Sequence, residues 1–353
     1  MRASSYPIVS SLLFVLSWPL TAGAKDQAPG PVIHQVTASP QGLSVNCYLV
    51  EGRHAVVAVD SALTVSDSKA LRAKLDAIGK PLAAVLITHG HPDHYNGVFY
   101  LTEGKAVPVY ATAAVAKVIR DWDARKEQQW KPVFKEEWPP QRAFPDHELK
   151  SGEKVKLDGL DFVVHDLGPA ESYADSYWEL LGPSRSAFIG DEVLAGSHAY
   201  TNDGHTAEWL QNLDVLGRTL KGAKHVYPGH GPAGDPSLFA WEKGYLLAYR
   251  REVEALRGGG EKLTDEQKAT LVARMKAAYP DAGNEFMIAL TFGSQQSMYT
   301  AVVAISKFTG AYGYDTPWGT IMAAGVLVTV PLIIGVLIFQ RRIVAGLTAG
   351  GVK

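Results

Sequence analysis

Apolar positions in the first half of the chain fall into short blocks separated by turn residues. Residues 45–50 and 54–59 are two such blocks joined by Glu51-Gly52-Arg53, and the spacing predicts two strands in a tight hairpin. Over residues 66–78 the period changes. Ala70, Leu71, Leu75 and Ile78 recur at helical spacing, and Gly79 with Pro81 closes the helix. Residues 83–88 form an unbroken apolar run of the length of a buried strand, and Gly90 and Pro92 force a turn directly after it.

The same alternation continues downstream. Residues 96–101 and 113–119 read as helix and residues 107–111 as strand. Residues 155–157 and 161–165 make a hairpin about Asp158-Gly159, and residues 186–189 a short strand. Trp209, Leu210, Leu213, Leu216 and Leu220 mark a core-facing helix over 208–220, followed by a strand that starts at His225. Residues 241–256 and 261–278 read as amphipathic helices split by Gly258-Gly259-Gly260. Between 121 and 146 the pattern lapses: three tryptophans (Trp122, Trp130, Trp138), four prolines and many charges show no sustained period. Such an insertion is either a lid over a site or a surface excursion pinned by its aromatics.

The chemistry sits at the turn after residues 83–88, which holds His89, His91, Asp93 and His94. Imidazoles at alternate positions, His89 and His91, project to one side and share a cation, while Asp93 and His94 turn toward a second position. Nitrogen and carboxylate donors of this kind suit zinc, among divalent metals.

The pattern His-x-His-x-Asp-His after an apolar strand resembles that of the metallo-β-lactamase superfamily, and further landmarks follow in order over residues 31–292. The resemblance implies an α/β domain, a four-layer αββα sandwich with two Zn²⁺ ions at one edge of its sheets. It also implies the remaining site residues. Asp60, at the end of a strand, braces the metal loop. Glu171 stands where the family commonly has a histidine after a Gly-Pro turn, a substitution similar to that of the alkylsulfatase branch; Tyr173 and His165 compete for the position, and a third protein ligand there is not obligatory. Asp191, in Gly190-Asp191, bridges the cations, and His230, in Pro228-Gly229-His230-Gly231, completes the second. The expected sets are His89, His91 and Glu171 on one metal and Asp93, His94 and His230 on the other, with Asp93 also orienting the nucleophile. His198 and His205 read as loop or cap residues that can also face a substrate.

Composition narrows the class. A formal net charge of -2 over 353 residues leaves no footprint for nucleic acid, and the single cysteine, Cys47, excludes an intrachain disulfide and reads as a core residue. No Gly-x-Ser-x-Gly elbow is present, so no serine nucleophile is needed. Residues 1–24 have the layout of a secretory signal peptide, with Arg2, an apolar stretch and Ala22-Gly23-Ala24. Residues 320–339 are twenty positions without a charge, enough to span a bilayer, and Arg341-Arg342 at their carboxyl flank favours the cytoplasmic side. Residues 293–353 resemble the carboxyl end of a sugar-type ABC transporter permease, which implies possible ABC transporter partners.

The expectation is therefore an exported, C-terminally anchored hydrolase on the periplasmic side of the cytoplasmic membrane. A metal-bridged hydroxide attacks an ester, lactone, thioester or β-lactam type of small-molecule substrate. Sulfate-ester hydrolysis, and a non-catalytic metal-binding domain tethered to a transporter, are the rivals. Many true lactamases carry a lysine three positions after a cysteine at the bridging site; here those positions hold Leu194 and Asp191.

Overall fold

Strand β2 (Asn46–Glu51) shows how the layers arise. It is buried from Asn46 to Val50, and alternate side chains serve opposite faces: Cys47 and Leu49 join one core, Tyr48 and Val50 another. In the computed structural model, which describes residues 30–283 apart from 184 and 261, β2 belongs to a six-stranded sheet. Its order is β1 (Val32–Thr37), β2, β3 (Val56–Val59), β4 (Leu82–Leu86), β5 (Val109–Thr112) and β6 (His147–Leu149). Pairing is antiparallel from β1 to β3 and parallel from β3 to β6.

The second sheet has five strands, in the order β11 (His225–Pro228), β10 (Ser186–Gly190), β9 (Asp175–Leu180), β8 (Leu160–Gly168) and β7 (Lys154–Leu157), parallel only between β10 and β11. Val50, Val57, Val59 and Leu86 from the first sheet meet Phe162, Val164, Trp178 and Phe188 from the second. The outer face of the first sheet is covered by α1 (Val65–Ile78), α3 (Val98–Thr102) and α4 (Ala113–Phe134) through Leu71, Leu75, Val98, Leu101, Val115 and Ile119. The outer face of the second is covered by α5 (Thr206–Thr219), α6 (Ser237–Arg257) and α7 (Asp265–Ala278) through Trp209, Leu213, Leu246, Leu271 and Met275. This is the four-layer αββα arrangement.

Local signals set the helix ends. Thr64 caps α1 by accepting from the Asp67 amide, and Gly79 ends it in the left-handed region at φ 74°. Thr112 caps α4 in the same way through Val115. That helix departs from the sequence reading, which ended it at residue 119: it runs on to Phe134. Trp122, Lys126, Trp130 and Phe134 recur at four-residue spacing along it, a narrow stripe among charges that an ordinary apolar count passes over. Strand β9 also went unread, because its buried run, Asp-Ser-Tyr-Trp-Glu-Leu, carries three polar residues.

Among the described residues no helix is long and apolar enough to cross a membrane. The signal segment at 1–24, the permease-like tail at 293–353 with its span at 320–339, and the last residues of the 31–292 domain lie outside the described residues.

Phe188 is fully buried between the sheets, beside Tyr48 and Tyr227. Phe188→Ala is expected to destabilise the domain by about 3–5 kcal/mol, read as a lower urea midpoint at unchanged slope.

Candidate metal centre

The centre lies where the carboxyl ends of β4 and β10 come together. Strand β3 ends at Asp60, whose backbone sits at φ 61°, a left-handed conformation uncommon outside glycine. The surroundings hold it there. The Asp60 amide donates to the Leu86 carbonyl, while its carboxylate accepts from the Thr88 amide at 3.0 Å and the Thr88 hydroxyl at 2.8 Å. The same carboxylate meets His94 Nδ1 at 2.8 Å, which turns Nε2 of that ring inward. The metal loop is thus fixed from behind before any cation is considered.

His91 follows in extended conformation, and α2 (Pro92–Tyr95) is a single turn that sends Asp93 and His94 to the same side. The turn after β10 brings Asp191, and the turn after β11 brings His230. Glu171 comes from the loop between β8 and β9. Hydrogen bonds between the sheets hold these loops in register. Asn46 Nδ2 donates to the Pro228 and Gly231 carbonyls on either side of His230, and Tyr48 Oη donates to Pro228 at 2.6 Å. Ser176 Oγ donates to the Thr88 carbonyl at 2.6 Å, and Trp178 Nε1 to Ile87 at 3.0 Å. Gly229 lies so close to Asp191 that a Cβ there would fall 1.8 Å from Oδ1, so the approach requires glycine.

The result is two donor clusters. One ligand atom from each of His89, His91 and Glu171 lies within 4.8 Å of the others, and the same holds for Asp93, His94, Asp191 and His230. Asp191 stands between the two, with Oδ1 at 3.4 Å from His94 Nε2 and Oδ2 at 3.3 Å from His230 Nε2 and 4.0 Å from His89 Nε2. Glu171 Oε2 is 2.7 Å from His91 Nδ1 and 3.5 Å from His89 Nε2. All seven side chains are buried. His89 Nε2, His94 Nε2, both His230 nitrogens, both Glu171 oxygens and Asp191 Oδ1 have no hydrogen-bond partner among the described residues.

Buried polar atoms are almost always satisfied, so this concentration of orphaned donors in one place fits a pair of cations. The electrostatics agree. Burial pulls the His89 imidazole well below its ordinary pKa and pushes the Glu171 carboxyl up. Burial also opposes charge on His91, but the Glu171 carboxylate beside it wins and takes that ring up to about 10. Likewise the Asp191 carboxylate outweighs burial at His230 and lifts it to about 10. Without cations, charge inside the cluster is balanced only by protons on imidazoles whose lone pairs a metal would use.

The competing candidates for the third position lie elsewhere. Tyr173 is 37% exposed and stacks on Trp122 at 4.7 Å, while His165 pairs with Glu179 and stacks on Tyr177. His198 is buried with Nδ1 at 3.1 Å from Tyr245 Oη, and His205 stands at the N-cap of α5; neither belongs to the two clusters. Cys47 is buried in the core. One functional residue had no sequence signal: Asp203, in an irregular loop, accepts from His91 Nε2 at 3.1 Å and orients that ring from outside. The 121–146 insertion both packs and overhangs. Trp138 is buried with Leu43, Leu63 and Tyr200, while Lys126, Trp130 and Phe134 line the pocket above His91, Asp93, Glu171 and Asp191.

An αββα domain with this donor set at the sheet edge is that of a metal-dependent hydrolase. The family pattern of the metallo-beta-lactamase superfamily matches residues 40–237, and the chain belongs to that superfamily. A metallo-beta-lactamase family protein from Thermus thermophilus has a similar structure, with TM-score 0.54 and 22% identity over 74% of this chain and 94% of that one. At that identity the likeness speaks for the fold alone. Hydroxyacylglutathione hydrolase of Methylobacillus flagellatus is 26% identical over 197 residues, 53% of this chain and 65% of that protein. A separate short match is to the trehalose transport system permease protein SugB of Mycobacterium tuberculosis, 49% identical over 72 residues, 20% of this chain. The chain spans about a quarter of the length of the permeases it matches.

Asp60→Ala is expected to leave the fold in place and to weaken metal binding by roughly 10–100-fold, measured by competition with a chromogenic chelator.

Proposed function

We propose that the chain is a dinuclear zinc hydrolase that cleaves an acyl bond, with thioesters the leading substrate class and esters and lactones close behind. The observation that carries this reading is Asp191, whose carboxylate lies within 4.0 Å of His89 on one side and of His94 and His230 on the other in a seven-residue buried donor set. His89, His91 and Glu171 would hold one cation, Asp93, His94 and His230 the other, and Asp191 would touch both. When bound, such a pair supplies Lewis acidity at the acyl carbonyl and an activated water at neutral pH.

The chain's own residues do the rest. Asp93 lines the pocket with its Oδ2 at 3.4 Å from His230 Nε2 and 3.6 Å from His94 Nε2, so its carboxylate is held in place to orient the attacking water and accept its proton. Asp60 and Asp203 keep the rings of His94 and His91 aimed inward. Leu43, Leu63, Trp130, Phe134 and Tyr200 line the approach, which lowers the local dielectric around the reacting groups. Thioesters lead because the hydroxyacylglutathione hydrolase relatives, by their names, act on one. Glu171 would put a charged oxygen where a third imidazole is common, which would leave its metal a weaker Lewis acid than three imidazoles would and suits a substrate with a good leaving group such as a thiolate.

Elemental analysis of the purified full chain is expected to find two zinc ions, and a panel of acyl thioesters, esters and lactones to show turnover that chelation abolishes. His91→Ala is expected to lower kcat/KM by more than the roughly 100-fold that loss of an outer hydrogen-bond partner costs. Fewer than one zinc per chain, or unchanged turnover in that variant, would overturn the reading.

We further propose that the domain is exported and tethered by residues 320–339, with the permease-like segment serving as anchor or as a contact for transporter subunits. The support is the signal-like pattern at 1–24, the uncharged stretch with its flanking arginines, and the short permease matches. In spheroplasts expressing the full chain, external protease is expected to degrade the domain while it stays in the membrane fraction; protection from protease would count against export.

A further inference from the structure

The pocket above the donor clusters contains a lysine with no ion pair among the described residues. Lys126 lies on the stripe of α4 that faces the pocket, one turn before Trp130 and two before Phe134, and is only 7% exposed. Its ammonium makes no hydrogen bond, and no ion pair within 4.0 Å, with any described residue. Its nitrogen stands 5.9 Å from the Tyr200 ring. Asp203 feels its charge from beyond ion-pair distance, while one of its oxygens, Oδ2, accepts from His91 Nε2. A lysine with a purely structural task carries its head out to bulk water along an apolar stem. This one turns its head into the site.

Buried lysines are rare unless paired, so the missing partner is best supplied by what enters the pocket. Its chemistry can be narrowed. A single ammonium is a compact point charge, whereas phosphate and sulfate groups are commonly held by arginine forks with several parallel donors. No arginine is among the described residues that line this pocket. Around Lys126 the lining is apolar and aromatic: Leu43, Leu63, Trp130, Phe134 and Tyr200. The carboxylates Asp93, Glu171 and Asp191 that share the pocket belong to the donor clusters, each with an oxygen 2.7–3.4 Å from a histidine nitrogen there.

We propose that Lys126 binds a free carboxylate of the substrate, and that the enzyme acts on acyl compounds with an alkyl or aryl body and a second, negatively charged end. The inference rests on the hydrolase reading and names the substrate class of the same site. Lys126 is then a specificity residue. The carboxylate docks on its ammonium, the body packs on Trp130, Phe134 and Tyr200, and the acyl carbonyl is left over the His89/His91 and Asp93/His94 clusters.

Two measurements on the metal-loaded full chain test this, with Lys126→Met as the neutral variant of similar length and Lys126→Arg as the variant that restores charge. In the first, para-nitrophenyl half-esters of succinate and glutarate are compared with the neutral butyrate and pentanoate esters. The preference of kcat/KM for the half-esters is expected to fall by about thirtyfold in Lys126→Met, the scale of removing one partner from a buried charge pair, and to return in part in Lys126→Arg. Equal losses on charged and neutral esters, or an intact preference, would overturn the proposal.

The second measurement needs no turnover. Quenching of tryptophan fluorescence by naphthoate and by neutral naphthamide is expected to show tighter binding of the carboxylate to the parent chain and no such preference in Lys126→Met. A preference that survives in the variant means that the carboxylate binds the cations instead, and the proposal falls. If no ester is hydrolysed but the naphthoate preference depends on Lys126, the hydrolase reading fails while the carboxylate site stands.

Discussion

Seven donor side chains, four of them imidazoles, are buried together, and five of the seven turn inward at least one atom that has no hydrogen-bond partner among the described residues. A folded protein avoids this arrangement unless something outside the chain completes it, because each unpaired buried group forfeits its hydration. The rest of the architecture is arranged to make the deficit hold its shape. Asp60 is kept in a left-handed backbone conformation so that one carboxylate reaches the Thr88 amide, the Thr88 hydroxyl and His94 at once. Gly229 lets the backbone pass within a Cβ's radius of Asp191. These local costs are supported by the surrounding sandwich, which over-determines the position of each loop.

The sandwich does this through its two sheets. Their inner faces meet through Val50, Val57, Leu86, Phe162, Trp178 and Phe188, and the same contact sets the loops at the strand ends against each other. Hydrogen bonds from Tyr48 and Asn46 to the residues around His230, and from Ser176 and Trp178 to the strand end before His89, stitch one sheet to the other at the rim where the donors lie. Packing energy from the core is in this way converted into positional accuracy at the site, which a metal centre with fixed donor distances requires.

Helix α4 adds a second role to the same rim. Its first turns pack Val115, Ala116 and Ile119 on the outer face of the first sheet, as any covering helix does. Its continuation to Phe134 leaves the sheet and carries Lys126, Trp130 and Phe134 over the donors, with Trp138 beyond it anchored among Leu43, Leu63 and Tyr200. Arg142, bonded to Asp123 and Glu127, ties the far end of the insertion back to the helix. The overhang is therefore a wall tied at both ends, and the chemistry of its inner stripe shapes what reaches the donor clusters.

By itself the sequence determined the alternation of strands and helices and the place of the donor-rich turn, and its resemblance to a superfamily implied the sandwich. The apolar run ending in His89, His91, Asp93 and His94 announces a strand followed by a donor-rich turn, because strand burial and imidazole ligation both leave short local patterns. Periodicity likewise marked α1, α5 and most of the strands. Which distant side chains share the site was open. Glu171, Tyr173 and His165 are near neighbours along the chain and separate only when β8 and β9 pair, placing Glu171 inside and the other two on the surface or the sheet. The tertiary structure alone brought Asp203 to His91 and Lys126 to the pocket. Both depend on how an irregular loop and the outer half of a helix lie across residues far away in the chain, and contacts at that separation leave no local pattern to read.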